Sequence, residues 1–181
     1  MIAVIGTLNA RAEGSTYGLG GYAATAALAL AAVGEPVEMV SKLGADAAGE
    51  AVITKLAAAR IGHVALIRDG TLATAVDGAG SLEMDAADLQ LALRYLTSFD
   101  AVLLVDPVDD SVVATVLDAC TYVGARLVIT RPEGSTPAGV PAGERGDAPP
   151  PLEVERPVGD PAAVTELLVA LLLPDRESPA A

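Results

Sequence analysis

Residues 22–33, YAATAALALAAV, hold no charged side chain. A helix that is apolar all round has no face to give to water, so it must be covered on more than one side. Only a layered fold offers such a place. The stretch follows three closely spaced glycines in GLGGY (18–22) and stops at Gly34, a fitting C-terminal cap. Its neighbours say what the layers are. IAVIG (2–6) reads as a buried strand closed by glycine, and VEMVSKL (37–43) and HVALI (63–67) as further strands. TLATAV (71–76) reads as a fourth, with Asp69-Gly70 before it as a hairpin signal. AVLLVD (101–106) is a fully buried strand and RLVIT (126–130) the next.

Helical patterns fill the intervals. Asp46 caps one that runs to about Arg60, with Val52, Ile53 and Leu56 inward. Asp85 and Asp88 open another in a capping-box arrangement, with Leu89, Leu93 and Leu96 inward. Asp109 or Asp110 caps a third, with Val113, Val116, Leu117 and Cys120 inward and Gly124 at its end. Strands alternating with helices predict an α/β domain with a mainly parallel sheet flanked by helices. Residues 1–131 form its core. Residues 132–151, PEGSTPAGVPAGERGDAPPP, carry no apolar period and read as a loop or linker. Residues 152–173 read as a strand, a Gly-Asp turn and a helix from about Pro161, belonging to the same domain, and 174–181 as a frayed tail.

Charge narrows the partners. The formal net charge is −13, with only 11 Lys plus Arg in 181 residues, and such a field repels phosphate backbones and anionic lipid. Nucleic acid and membrane surfaces are therefore not expected partners. The longest apolar run, 23–33, is too short to cross a bilayer, and MIAVIGTLNA has no basic leader region, so a cytoplasmic protein is expected. Cys120 and His63 are single residues far apart, which gives neither a disulfide framework nor metal-ligand spacing. Cys120 reads as a small core residue. Gly18, Gly20 and Ala23 satisfy a G-x-G-x-x-A pattern, but residues 7–17 separate it from the strand that a dinucleotide turn must follow directly.

A different set of residues around the same turn resembles the ribokinase (PfkB-type) family of sugar and nucleoside kinases. Gly20 and Gly21 are followed by Thr25, Ala27, Gly34 and Gly44 at the spacing of the family's N-terminal signature, with Thr25 where the family usually carries Asn. SKLGADAAGE is similar to its GK-hydrophobic-GDD-x-x-G segment, with Gly44, Asp46 and Gly49 matching and Ala45 replacing the first Asp. GTLNA (6–10) looks like the family's opening GSINAD, and residues 99–130 look like its central strand–helix–strand. The resemblance implies a reduced ribokinase-like fold. It also implies a sugar-like ligand beside Asn9, Gly20, Gly21 and Thr25. For the turn itself two readings stand: the glycines bring backbone close to a ligand, or they let a buried helix start close to its neighbours.

The departures are as informative. The family's lid is a β-insert before the glycine turn, and TLNARAEGSTYGL is too short for a full one. Arg11 stands where the family often has a sugar-holding Asp. The family's GAGD loop, whose backbone donors hold phosphate and whose Asp is the base, is matched only by PVGDPAAV. There Gly159 stands for the anion hole and Asp160 for the base, while Pro157 and Pro161 remove donors. Asp160 reads more simply as a helix N-cap. Two functions follow. One is a degenerate kinase homologue without phosphotransfer that serves as a small-ligand binder or an assembly or regulatory protein. The other is a minimal kinase moving phosphate from ATP with magnesium to a sugar or nucleoside hydroxyl. The shortened chain is also expected to form a homodimer or larger assembly through uncovered apolar faces.

Overall fold

The computed structural model describes residues 1–78, 83–96, 98–107, 109–135, 149–156 and 161–174. The elements in chain order are β1 (Ile2–Ile5), β2 (Asn9–Glu13), β3 (Thr16–Gly20), α1 (Tyr22–Ala32), β4 (Val37–Gly44), α2 (Ala47–Ala58) and β5 (Leu66–Asp69). There follow α3 (Ala86–Leu93), β6 (Ala101–Val105), α4 (Asp110–Val123), β7 (Arg126–Arg131), β8 (Leu152–Glu155) and α5 (Pro161–Leu172). Six strands make one sheet in the order β5-β4-β1-β6-β7-β8, parallel at every pairing. The α/β class with a parallel sheet flanked by helices is what the sequence predicts.

Each strand is β-branched or leucine-rich because both of its faces are covered. Ile2, Val4, Met39, Leu103 and Val128 face one helical layer with α1, α2 and α5. Ala3, Ile5, Val40, Leu104 and Ile129 face the other, with α3 and α4. The apolar helix α1 lies between sheet and α5, with Ala23, Ala24, Ala26, Ala27 and Leu30 buried. Alanine is the residue that lets helix and sheet backbones approach this closely. Cys120 is buried in the α4 layer and burial pushes its thiol up to about 12, as suits a packing residue.

The caps form where the acids predict them. Asp46 accepts from Gly49 N at 2.8 Å, Asp85 and Asp88 close a capping box, and Asp109, not Asp110, caps α4 through Ser111 N and Val112 N. Gly124 ends α4 in the left-handed conformation at φ 73°.

Three local expectations change. Residues 9–20, read only as a shortened interval, pair as an antiparallel hairpin, β2 with β3, and this hairpin rests on α2. Segment 71–76 is not a strand: only Val76 forms a bridge, to Ala10, and Asp69 turns the chain by accepting from Thr71 N and Oγ1 instead of opening a hairpin. The strand read at 63–67 begins at Leu66, because the Glu38 carboxylate takes the Val64 and Ala65 N–H groups. Among the described residues no helix is long and apolar enough to cross a membrane.

Candidate functional site

In an open parallel sheet, a crevice forms at the carboxyl ends of two adjacent strands whose connections leave in opposite directions. Here those strands are β1 and β6. From β1 the chain crosses to β4 on one side, and from β6 it crosses to β7 on the other. A small cavity of about 30 Å³ opens at this point, lined by Gly6, Thr7, Met84, Asp106, Pro107 and Val112 among others.

The glycine turn stands on the α1 side of the crevice. Asn9 and Gly20 face each other in the hairpin ladder. Gly21 is the N-cap of α1 at φ 90° and ψ 155°, a backbone region essentially restricted to glycine. A side chain there would start 3.0 Å from Thr7 O and 3.5 Å from Asn9 Nδ2. Asn9, Gly20 and Gly21 are thus brought together, and Asn9 Oδ1 is buried without a partner. Thr25 sits one turn further along α1, exposed, and its hydroxyl donates to Gly21 O at 3.2 Å. Its one donor is spent on its own helix. Arg11 lies on the hairpin and pairs with Glu13 Oε1 at 2.8 Å, which holds the Glu13 carboxyl below its ordinary value. Arg11 is answered inside the hairpin. Gly159 and Asp160, with Pro157 and Val158, lie outside the described residues, as do residues 136–148 of the Pro/Gly segment and 175–181 of the tail.

Three residues escape the sequence reading. Asp106 follows β6 directly at φ 47°, an uncommon conformation for a residue with a side chain, and it lines the crevice. Arg156 Nη2 donates to Asp106 Oδ2, and its guanidinium lies 5.1 Å from the centre of the Tyr22 ring. Burial pushes the Asp106 carboxyl up against the pull of Arg156 and Arg131, and burial likewise pushes the Tyr22 hydroxyl up to about 12. Tyr22 OH, Asp106 Oδ1 and Arg156 Nε are buried and make no hydrogen bond among the described residues. Asp106 was legible as the acid that closes a buried strand. Arg156 follows a Pro-rich segment, and nothing in the sequence points it at Asp106.

Magnesium and a nucleotide need phosphate donors and carboxylates. Among the described residues no three His, Cys, Asp or Glu stand together as cation ligands.

A profile of the pfkB family carbohydrate kinases matches residues 3–120, well over half of the chain. The chain belongs to this family. Solved structures of sugar kinases share its fold. A fructokinase from Xylella fastidiosa superposes with a TM-score of 0.55 at 18 % identity, over 75 % of this chain and 56 % of its own. The fructokinase of Halothermothrix orenii gives 0.53 at 16 % identity, over 75 % and 61 %. An uncharacterized sugar kinase from Pyrococcus horikoshii in complex with ATP gives 0.57 at 18 % identity, over 72 % and 52 %. The chain spans little more than half the length of these sugar kinases. No curated protein matches it.

Proposed function

We propose that this pfkB homologue no longer transfers phosphate and keeps the fold to hold a small ligand or to serve as an assembly or regulatory protein. The crevice carries the proposal. The cavity at the ends of β1 and β6 is small, about 30 Å³, whereas phosphoryl transfer requires donor and acceptor held in line and screened from water. The lid adds support: it is a single hairpin of two five-residue strands, and the outer edge of β2 is tied down by Ala75 O and Asp77. Asn9, Gly20, Gly21 and Thr25 remain the residues we assign to a sugar-like ligand, and Asp106 joins them because it lines the crevice with one oxygen unpartnered.

A second reading is a minimal kinase using ATP and magnesium, with Asp160 as base and Gly159 in the anion hole. The unpartnered Asn9 Oδ1 beside Gly20 and Gly21 favours it, as do the ATP complexes of the Pyrococcus sugar kinase and the Xylella fructokinase.

Calorimetric titration with Mg-ATP, paired with an ATP-consumption assay over a sugar and nucleoside panel, separates the two. We expect no turnover. Sugar-dependent turnover abolished by Asp160→Asn would establish the second reading. We also infer self-association, through apolar side chains such as Leu152 and Leu167 left exposed at the β8 and α5 side. Light scattering at about 50 µM, well above the Kd of a stable interface, checks it, and a monomer counts against it.

A further inference from the structure

Helix α5 repeats the demand that α1 makes. Residues 161–173, PAAVTELLVALLL, carry one charge, Glu166, and a helix so apolar needs cover on more than one side. Helix α1 has that cover, from the sheet and from α5. Among the described residues α5 packs on α1, β6 and β7, with Val164, Leu168 and Leu172 buried. At about 100° per residue, Ala163, Leu167, Ala170 and Pro174 fall within about 60° of one another on a different side. All four are exposed, Leu167 at 44 %. The segments beside β8 and α5 do not supply the missing layer. Residues 136–148, 157–160 and 175–181 hold only two large apolar side chains, Val140 and Val158.

Charge and side-chain size select the partner. A chain of net charge −13 repels a second copy over most of its surface, so two copies meet best where charge is sparse. The α5 stripe is such a place, with Glu166 only at its rim. A twofold interface must also be complementary to itself. Two antiparallel α5 helices set Leu167 of each copy against Ala170 of the other, large against small, and Ala163 lets the helices stay close further out. Resting on the reading that the chain self-associates, we propose that α5 is the seam of a closed dimer of two copies, joined helix to helix. The sheet edge suits the same task poorly. Val154 of β8 packs into the α5 layer, and Glu153 and Glu155 alternate with it. Antiparallel β8 strands centred on Val154 would place Glu153 of one copy beside Glu155 of the other, and like charges so placed weaken a ladder.

Analytical sedimentation of the full chain tests the seam. At about 50 µM the protein is expected as a dimer, and raising salt from about 20 to about 500 mM should tighten it, because screening lets two acidic copies approach. Leu167→Glu should weaken the dimer at least about thirtyfold, the effect of losing a central anchor, and Leu152→Ser at the sheet edge should weaken it less than about threefold. A mixture of Leu167→Cys and Ala170→Cys chains should join by a disulfide when oxidised with diamide. The unmodified chain is the blank, since Cys120 is 1 % exposed. That cross-link decides the matter if Leu167→Glu does not fold. A monomeric unmodified protein overturns self-association and the seam together. A dimer that survives Leu167→Glu, loosens with salt or gives no cross-link overturns the seam and leaves self-association standing. An assembly larger than a dimer overturns the closed twofold.

Discussion

Asp46 shows how much one carboxylate can hold. It accepts from Gly49 N at 2.8 Å, capping α2, and from Thr74 N at 2.7 Å, pinning the segment that ties down the hairpin. Those backbone donors hold its carboxyl below 3.8. Asp46→Ala should cost about 1–2 kcal/mol in urea unfolding. Asp69 and Asp109 are also held low, by the Thr71 and Ser111 hydroxyls respectively. Because folding lowers these values, the unfolded chain takes up protons first as pH falls. The stability they give is complete above about pH 4 and drains away as pH drops through their folded values. Urea midpoints at neutral and acidic pH should show that loss, and Asp46→Asn should blunt it. Gly21 makes the opposite kind of demand. Its φ of 90° and the 3.0 Å approach to Thr7 O leave no place for a side chain, so Gly21→Ala should cost about 1–3 kcal/mol. Gly20→Ala should cost less, since a Cβ there meets Asn9 O at 3.2 Å without a positive φ. Equal losses in chemical denaturation would mean that backbone strain is not what fixes glycine at the helix start.

At the level of elements, the legible parts are those whose signal is local. Apolar runs give β1, β4, β6 and β7, and acids at the right spacing give the starts of α2, α3 and α4. The hairpin is not legible, because NARAE and TYGLG lie mostly at the surface and carry no strong alternation. Segment 71–76 carries the alternation and is not a strand, because Thr74 and Ala75 spend their backbone groups on Asp46 and Ala10. The candidate site divides in the same way. Asn9, Gly20 and Gly21 are legible because they are close in sequence, while the Asp106–Arg156 pair spans fifty positions. Lys42 is a comparable long-range tie. It leaves β4 to meet Asp88 at 3.1 Å and Asp69 at 3.8 Å, with 17 % of its side chain exposed. It therefore bolts the capping box of the short helix α3 to the sheet. Lys42→Met should cost about 1–2 kcal/mol, between an exposed and a buried pair, and should speed amide exchange in α3 more than in α4. Uniform exchange across both helices would refute a local role.

For the whole molecule, the excess of acid is the dominant field. A net charge of −13 repels itself across the folded surface, and added salt screens that repulsion. Raising salt from about 20 to about 200 mM should lift the melting midpoint by about 2–4 °C, and a fall would show that ion pairs such as Arg68–Glu50 outweigh the repulsion. The strand order has a consequence on another axis, that of synthesis. Ile2 sits opposite Val37 on one side and Ala101 on the other. One edge of β1 can close soon after β4 leaves the ribosome, but the other waits until β6 follows. During that interval the nascent chain carries its most apolar strand half paired. An unpaired strand edge of that kind is a site for wrong pairing until β6 arrives.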